Sequence, residues 1–217
     1  MRLGKRIGYG WLYNWYAVDN ANDLAPEGWR VPSDAEWTAM TDHIGGLYVA
    51  GGKLKSTRNE WYSPNTGATD ELGFSALPGG FRNTFGNFNY LGVYGYWWSA
   101  TEYSSSNAID RYMYFDYGFV FRNHFNKAVG YSVRCIQNKS SGQSDGDTGT
   151  LTDVDGNVYK WVVIGDYRWM AENLRTTKYK NGNTIPEITD NTDWANDTTG
   201  TRCAYNNDHY YVYPPLR

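Results

Sequence analysis

Few residues in this chain are spaced for covalent chemistry. Asp34 and Glu36 stand two apart in GWRVPSDAEWTAMTDHIGG (28–46), where two carboxylates could share acid–base work. Glu36 also follows Ser33 by three residues, however, and Ser-x-x-Glu is the capping box that starts a helix. Gly51-Gly52-Lys53 in LYVAGGKLKST faintly suggests a phosphate loop, but the GxxxxGK[ST] spacing is missing. Asp70 and Glu71 could offer oxygen ligands to calcium. DVDGN (153–157) begins like a calcium loop, lacks the later ligands and closing glutamate, and reads as an Asp-Gly hairpin turn. His43, His124 and His209 neighbour no nucleophile, and no nucleophile-elbow, metal-helix or phosphate-loop motif occurs. Cys135 and Cys203 cannot make a zinc site alone; they read as one long-range disulfide or as two buried thiols. These exclusions point away from an enzyme. No cofactor or metal is expected, with calcium the one ion left open.

What the chain has in abundance is contact chemistry. Aromatics make up 18% of it, with 20 Tyr and 10 Trp. Tyr and Trp give large contact area at low rotamer entropy and carry a polar handle, which suits recognition of a protein or glycan; the same residues could fill the core of a loop-rich fold. They are densest over residues 94–136, which read as short strands with turns between them. From Arg111 the residues alternate, with Arg111, Met113 and Phe115 on one face and Tyr112, Tyr114 and Asp116 on the other. Tyr117-Gly118 supplies a turn. The returning strand puts Val120 and Arg122 on the first face and Phe119, Phe121, Asn123 and Phe125 on the second. Val120 and Met113 are expected to mark the inner face. The candidate ligand-binding set is therefore Tyr112, Tyr114, Asp116, Tyr117, Phe119, Phe121, Asn123, His124 and Phe125. A contiguous exposed aromatic patch marks an interaction site; the alternative is that this face packs under a loop.

The scaffold around this hairpin is legible in the rest of the chain. Of 217 residues, 41% are hydrophobic and 20% charged, enough for a packed core. Net charge is −3 with no basic run, which argues against a nucleic-acid partner. No 18-residue apolar stretch predicts a membrane span, and MRLGKRIGYGW lacks the apolar region of a signal peptide. Residues 9–18 read as an aromatic strand or short helix. A helix runs from Ser33 with Trp37, Met40, Thr41 and Ile44 on one buried face, and Gly45-Gly46 end it. Residues 47–57 read as a second short helix interrupted by Gly51-Gly52. Loop dominates 58–90, and a strand is expected over 129–136. Residues 138–150, NKSSGQSDGDTGT, hold no apolar side chain and read as a flexible linker. VYKWVVI and YRWMAENL read as two strands, TDNTDWANDTTG as a turn, and the tail with Pro214-Pro215 as irregular.

Several strings together resemble one family: YGWLYNWYAV (9–18), GWRVPSDAEWTAM (28–40), AGGKLKST (50–57), SPNTGATDELGFSALPGGFRN (63–83), YWWSATE (96–102), GYSVRC (130–135), DVDGNVYKWVVIGDYRWMAENLRTTKY (153–179) and TRCAYNND (201–208). All are similar to the Fibrobacter succinogenes major paralogous domain, in which the last two strings precede the others. The halves are exchanged here, as in a circular permutant or a fragment of tandem copies. The resemblance divides the chain into 1–137, the linker 138–150, and 151–217, with 151–217 docked on 1–137 as one domain. It implies an α+β, C-type-lectin-like fold, loop-rich, with short antiparallel strands and one or two helices. Docking would bring Cys203 toward Cys135 and permit a disulfide. VPSDAEW and GYSVRC are also similar to signatures of the formylglycine-generating enzymes, which share that fold, but their pair of reactive cysteines has no counterpart here. Variable proteins of diversity-generating retroelements carry a randomised hairpin face where 103–129 stands. The resemblance thus implies a non-enzymatic binding or adhesion module, secreted or on the cell surface, with a protein or glycan ligand; a structural repeat is the other expectation.

Overall fold

The capping box forms as its spacing predicts. In the computed structural model, which describes residues 8–212, Ser33 Oγ accepts from the Glu36 N–H and the Glu36 carboxylate accepts from the Ser33 N–H. This starts helix α2 (Asp34–His43). Before it come β1 (Leu12–Tyr13) and α1 (Trp15–Val18), and after it α3 (Leu47–Leu54). Two short strands, β2 (Phe81–Arg82) and β3 (Phe88–Asn89), interrupt the long loop region. The three longest strands of the first segment follow: β4 (Tyr94–Glu102), β5 (Asn107–Tyr114) and β6 (Phe121–Asn126), in the antiparallel order β4-β5-β6. The second sheet is β7 (Ile136–Asn138), β8 (Thr148–Thr152), β9 (Val158–Ile164) and β10 (Tyr167–Met170), in the order β7-β10-β9-β8. Helix α4 (Asn191–Asn196) and β11 (Arg202–Cys203), which pairs with β1, complete a mixed α and β, loop-rich fold whose sheets are antiparallel. The opening MRLGKRI and the Pro214-Pro215 tail lie outside the described residues. No helix among them is long and apolar enough to cross a membrane.

The two segments share their core. Trp37, Trp97 and Met113 pack with Val162, Ile164 and Trp169, while Trp98, Tyr131 and Cys135 pack with Tyr159, Met170 and Ile185. Polar side chains tie the seam. Arg82 is fully buried and donates to the carbonyls of Ile188, Thr189 and Asp190, with its guanidinium 4.4 Å from the Trp194 ring centroid. Asn173 bonds Trp97 and Arg134 through its oxygen and Tyr9 and Ser132 through its nitrogen. Residues near both limits of the described chain also meet, where the Tyr9 and Gly10 N–H groups donate to the carbonyls of Tyr211 and Val212.

Four expectations are corrected. Residues 138–150 are not a free tether. Arg168 holds the side chains of Gln143 and Ser140, Asp145 accepts from Gly165 N–H and meets His43 at 2.5 Å, and Thr148–Thr150 belong to β8. Polar side chains and main-chain bonds do here what apolar burial does elsewhere. The supposed turn at 189–200 contains α4, capped by Asp190 and anchored by the buried Trp194. The strand expected over 129–136 is a series of single bridges, Gly130 to Arg82, Tyr131 to Tyr13 and Ser132 to Trp97, with a regular strand only from Ile136. Cys135 and Cys203 form no disulfide; both are free, buried thiols. Cys135 sits in the main core, its N–H on the Met170 sulfur, whereas Cys203 pairs with Leu12 beneath Trp194 and Tyr205. Burial pushes both thiols well above the ordinary thiol value.

Candidate functional site

Register decides which side chains of the β5–β6 hairpin share a face. Tyr112 stands opposite Phe121, Asp110 opposite Asn123 and Ala108 opposite Phe125. The intervening pairs, Arg111 with Arg122 and Ile109 with His124, point the other way. The alternation expected from sequence therefore holds for Tyr112, Phe121, Asn123 and Phe125, and Met113 and Val120 are buried in the core beside α2 and α3. His124 does not join that set. It lies on the opposite face, where its ring stacks on Tyr103 at 3.8 Å and 4°. The turn is also longer than Tyr117-Gly118: no ladder bond joins the strands between Tyr114 and Phe121, so Asp116, Tyr117 and Phe119 lie in the tip.

The opposite face of the sheet is closed by α2. Asp34, at its first turn, bonds Arg111 at 2.6 Å and Arg122 at 2.8 Å. Burial alone would raise the Asp34 carboxyl, but the hydrogen bonds and charges of Arg122 and Arg111 outweigh it and hold it below the usual carboxylate range. Glu36 is taken by the cap and by Arg30. Both carboxylates thus bind structure. Asp70 likewise accepts twice from Ser75, and Glu71 pairs with Lys53 at 3.0 Å. Among the described residues no group of three or more His, Cys, Asp and Glu side chains is placed to hold a metal ion.

The Tyr112 face belongs to a larger aromatic surface. Tyr94 of β4 stacks on Tyr114 at 4.6 Å and 20°, and Tyr112 stacks on Phe121 at 4.7 Å and 7°. From Tyr114 the contacts run through Tyr117 (5.6 Å) and Phe119 (5.5 Å) to Tyr48 at the start of α3 (5.2 Å). In other directions they reach Tyr62 through Phe115 and Tyr90 through Tyr94. Each such pair contributes about 0.5–1.5 kcal/mol beyond its burial, so the rings brace one another. Tyr48 is 76% exposed, Tyr62 59%, Tyr90 53% and Tyr117 46%. Tyr48, Tyr62, Tyr90 and Tyr94 were not among the sequence candidates. The strand alternation of the hairpin carries no signal for them, because three come from α3 and two loops and Tyr94 from the neighbouring strand. Phe125 stands apart from this surface, at the far end of the hairpin against Tyr131.

The same face is roofed at its other end. Tyr131 and Phe81 lie over Tyr96, with Tyr96 and Tyr131 stacked at 4.8 Å and 7°. The expectation that the face packs under a loop is correct there, and the open part is the Tyr114–Tyr117–Phe119 end. Under the roof sits Asp110. It is wholly buried, and neither carboxylate oxygen has a hydrogen-bond partner. Burial pushes it from 3.8 up to about 7, against the opposing charge of Arg111. A carboxyl whose folded pKa is raised stabilises the fold fully below its unfolded value, and that contribution is lost as pH rises through about 7. Asp110→Asn is therefore expected to raise the thermal midpoint at pH 8 and leave it unchanged near pH 4. Equal midpoints at pH 8 would show that the charged carboxylate has found a partner.

The chemistry offered by this surface is contact. Stacked rings present edges and hydroxyls, and the exposed ones add apolar area; no side chain within it pairs with a base as a nucleophile would. A family model described as the Fibrobacter succinogenes major domain matches residues 3–137, which contain the whole surface. No curated protein and no solved structure matches the chain.

Proposed function

The chain belongs to the Fibrobacter succinogenes major domain family, and from that membership we propose that it is a non-enzymatic binding or adhesion module of a bacterial secreted or cell-surface protein. Its ligand is a protein or glycan, met by the aromatic surface around Tyr114, Tyr117 and Phe119. One observation carries this reading: rings from α3, two loops and two strands converge on one continuous surface, on which Tyr48, Tyr62, Tyr90 and Tyr117 are exposed and the rest half-buried. Aromatic anchors dominate the energetics of such interfaces. The reading needs no cofactor, and it takes the fold to be C-type-lectin-like with residues 103–129 as the diversified region of a retroelement variable protein. Substitutions concentrated at 103–129 among sibling genes would support that last point, and an even spread would remove it.

A glycan array and a panel of bacterial and host cells test the binding. Tyr48→Ala with Tyr117→Ala, both exposed, is expected to weaken binding about tenfold or more at an unchanged unfolding midpoint. Tyr114→Ala with Phe121→Ala is expected to do the same with some loss of stability, because it also breaks two stacked pairs. Undiminished binding by both variants, or no binding by any form, favours the structural repeat. One feature supports that second reading. The hydrogen bonds from Tyr9 and Gly10 to Tyr211 and Val212 join the first segment to the second, as a permuted domain or a domain shared between tandem copies requires.

A further inference from the structure

The hairpin tip carries the rings of the proposed surface but has no ladder bonds to shape it. Besides main-chain bonds to neighbouring segments, several of its carbonyls share one side chain. Lys55, just past the end of α3, is wholly buried, and its Nζ lies 2.9 Å from the Tyr117 carbonyl oxygen, 3.0 Å from that of Thr66, 3.2 Å from that of Tyr114 and 3.4 Å from that of Phe115. All four are main-chain oxygens. An ammonium has three donors, so the three shorter contacts use them and Phe115 shares one. The Trp61 ring closes the site at 5.4 Å. An irregular loop with carbonyls converging on a centre is the arrangement oxygen-binding cations stabilise in proteins.

We propose that Lys55 is the positioning residue of the aromatic tip: its ammonium gathers carbonyls from the 114–117 and 66 segments onto one centre, as a coordinated cation does, and so fixes how Tyr114, Tyr117 and Phe119 are presented. The proposal rests on the binding reading only for the effect that a moved tip has on ligand. A charged donor in a low-dielectric site makes strong hydrogen bonds; without it the Tyr117 and Thr66 carbonyls lose their donor, while those of Phe115 and Tyr114 keep the N–H groups of Thr66 and Tyr117. The charge is also conditional. Burial pulls the Lys55 pKa down to about 8, with Asp116 opposing. Between about 8 and the value of roughly 10.4 for free lysine, the folded state holds fewer protons than the unfolded one, so this group makes global stability rise with pH. A tip that opens to water returns Lys55 to that free value, so the same linkage makes opening of the tip less favourable as pH rises from about 8 toward roughly 10.4.

Amide hydrogen exchange of residues 115–120, corrected for intrinsic base catalysis, tests this at pH 7, 8 and 9.5. The wild type is expected to gain protection at the tip by about tenfold or more between pH 7 and 9.5, and Lys55→Met is expected to show no such gain. Lys55→Met is expected to be unprotected at the tip at every pH. It keeps Asp116, Tyr114 and Tyr117, so any response they cause survives in the variant and is subtracted. Added calcium or a chelator is expected to change nothing at the tip of either form. Wild-type-like protection in Lys55→Met, or a pH-independent wild-type tip, would overturn the assignment. If the variant does not fold, the wild-type profile alone decides. A released tip with unchanged ligand binding on the panel above supports Lys55 as the positioning residue and tells against the tip as the binding surface.

Discussion

Replacing Asn173 by leucine is expected to cost about 3–5 kcal/mol, measured as the shift in the urea unfolding curve. The side chain is buried, with 1% of its surface exposed, and all four of its hydrogen-bonding positions are used. Its oxygen accepts from Trp97 Nε1 at 2.9 Å and Arg134 Nε at 2.8 Å; its nitrogen donates to the Tyr9 carbonyl at 2.7 Å and Ser132 Oγ at 3.1 Å. Leucine shares the branching at Cγ but is bulkier and apolar, and it leaves four buried polar groups without a partner, each with a desolvation cost of about 1–3 kcal/mol. Arg134 makes the loss worse. Burial already pulls its pKa down to about 9, and apart from Asn173 it rests on the carbonyls of Phe74, Met170 and Ser75. Asn173→Asp is expected to cost less, because it keeps both acceptor contacts and adds a charge opposite Arg134, though it loses the donors to the Tyr9 carbonyl and Ser132 Oγ. A domain of this size is stable by about 5–15 kcal/mol, so the leucine variant loses a large part of the total. A cost under 1 kcal/mol for leucine would mean that the seam between the two segments rests on apolar packing instead.

This node also joins stretches that lie far apart in the sequence. Tyr9 comes from YGWLYNWYAV, Trp97 from YWWSATE, Ser132 and Arg134 from GYSVRC and Asn173 from MAENL. Four of the strings quoted for the family resemblance meet at one buried asparagine; three lie within the residues that the family model matches, and MAENL lies outside them. Local rules did well where a side chain reports on its own neighbours: Ser33 and Glu36 for the cap, and Met113 against Tyr112 for the faces of the hairpin. They failed where the partner lies far along the chain. Nothing in NKSSGQSDGDTGT announces that Arg168 and His43 will hold it. Helix α4 has one buried apolar residue, Trp194, whose value comes from Arg82 above it. Two cysteines are consistent with a disulfide or with two buried thiols, and the fold, which puts them in different clusters, shows the second. The aromatic surface was half legible for the same reason: alternation marks Tyr112 and Phe121, but only the folded chain brings Tyr48, Tyr62 and Tyr90 beside them.

Gly51→Ala is expected to destabilise the protein by about 2–3 kcal/mol and to dislodge the hairpin tip, although alanine is the better helix former. Two adjacent glycines inside α3 cost roughly 0.5–1 kcal/mol each relative to alanine, so something must offset them. The offset is the tip itself. A Cβ on Gly51 would lie 2.1 Å from the Phe119 carbonyl oxygen and 2.4 Å from its carbon, and one on Gly52 would lie 2.3 Å from the Gly67 oxygen. Those neighbours are backbone and cannot swing aside. The close approach is stitched by Gly52 N–H to the Gly118 carbonyl at 3.0 Å, Val120 N–H to Leu47 at 2.9 Å and Thr69 N–H to Gly52 at 2.9 Å. In AGGKLKST, then, the glycines let the tip dock on the helix and Lys55 gathers its carbonyls, which gives the motif a purpose unrelated to phosphate. Val49→Ala, at an exposed position of the same helix, is the control for helix propensity and is expected to change the midpoint little. Gly51→Ala should expose the amides of 115–120 to exchange and weaken any binding that depends on Tyr117 and Phe119, while β9 and β10 stay protected. If Gly51→Ala instead matches the control in midpoint and tip protection, the tip docks too loosely to be held by contact with α3, and presentation of its rings falls to Lys55 alone.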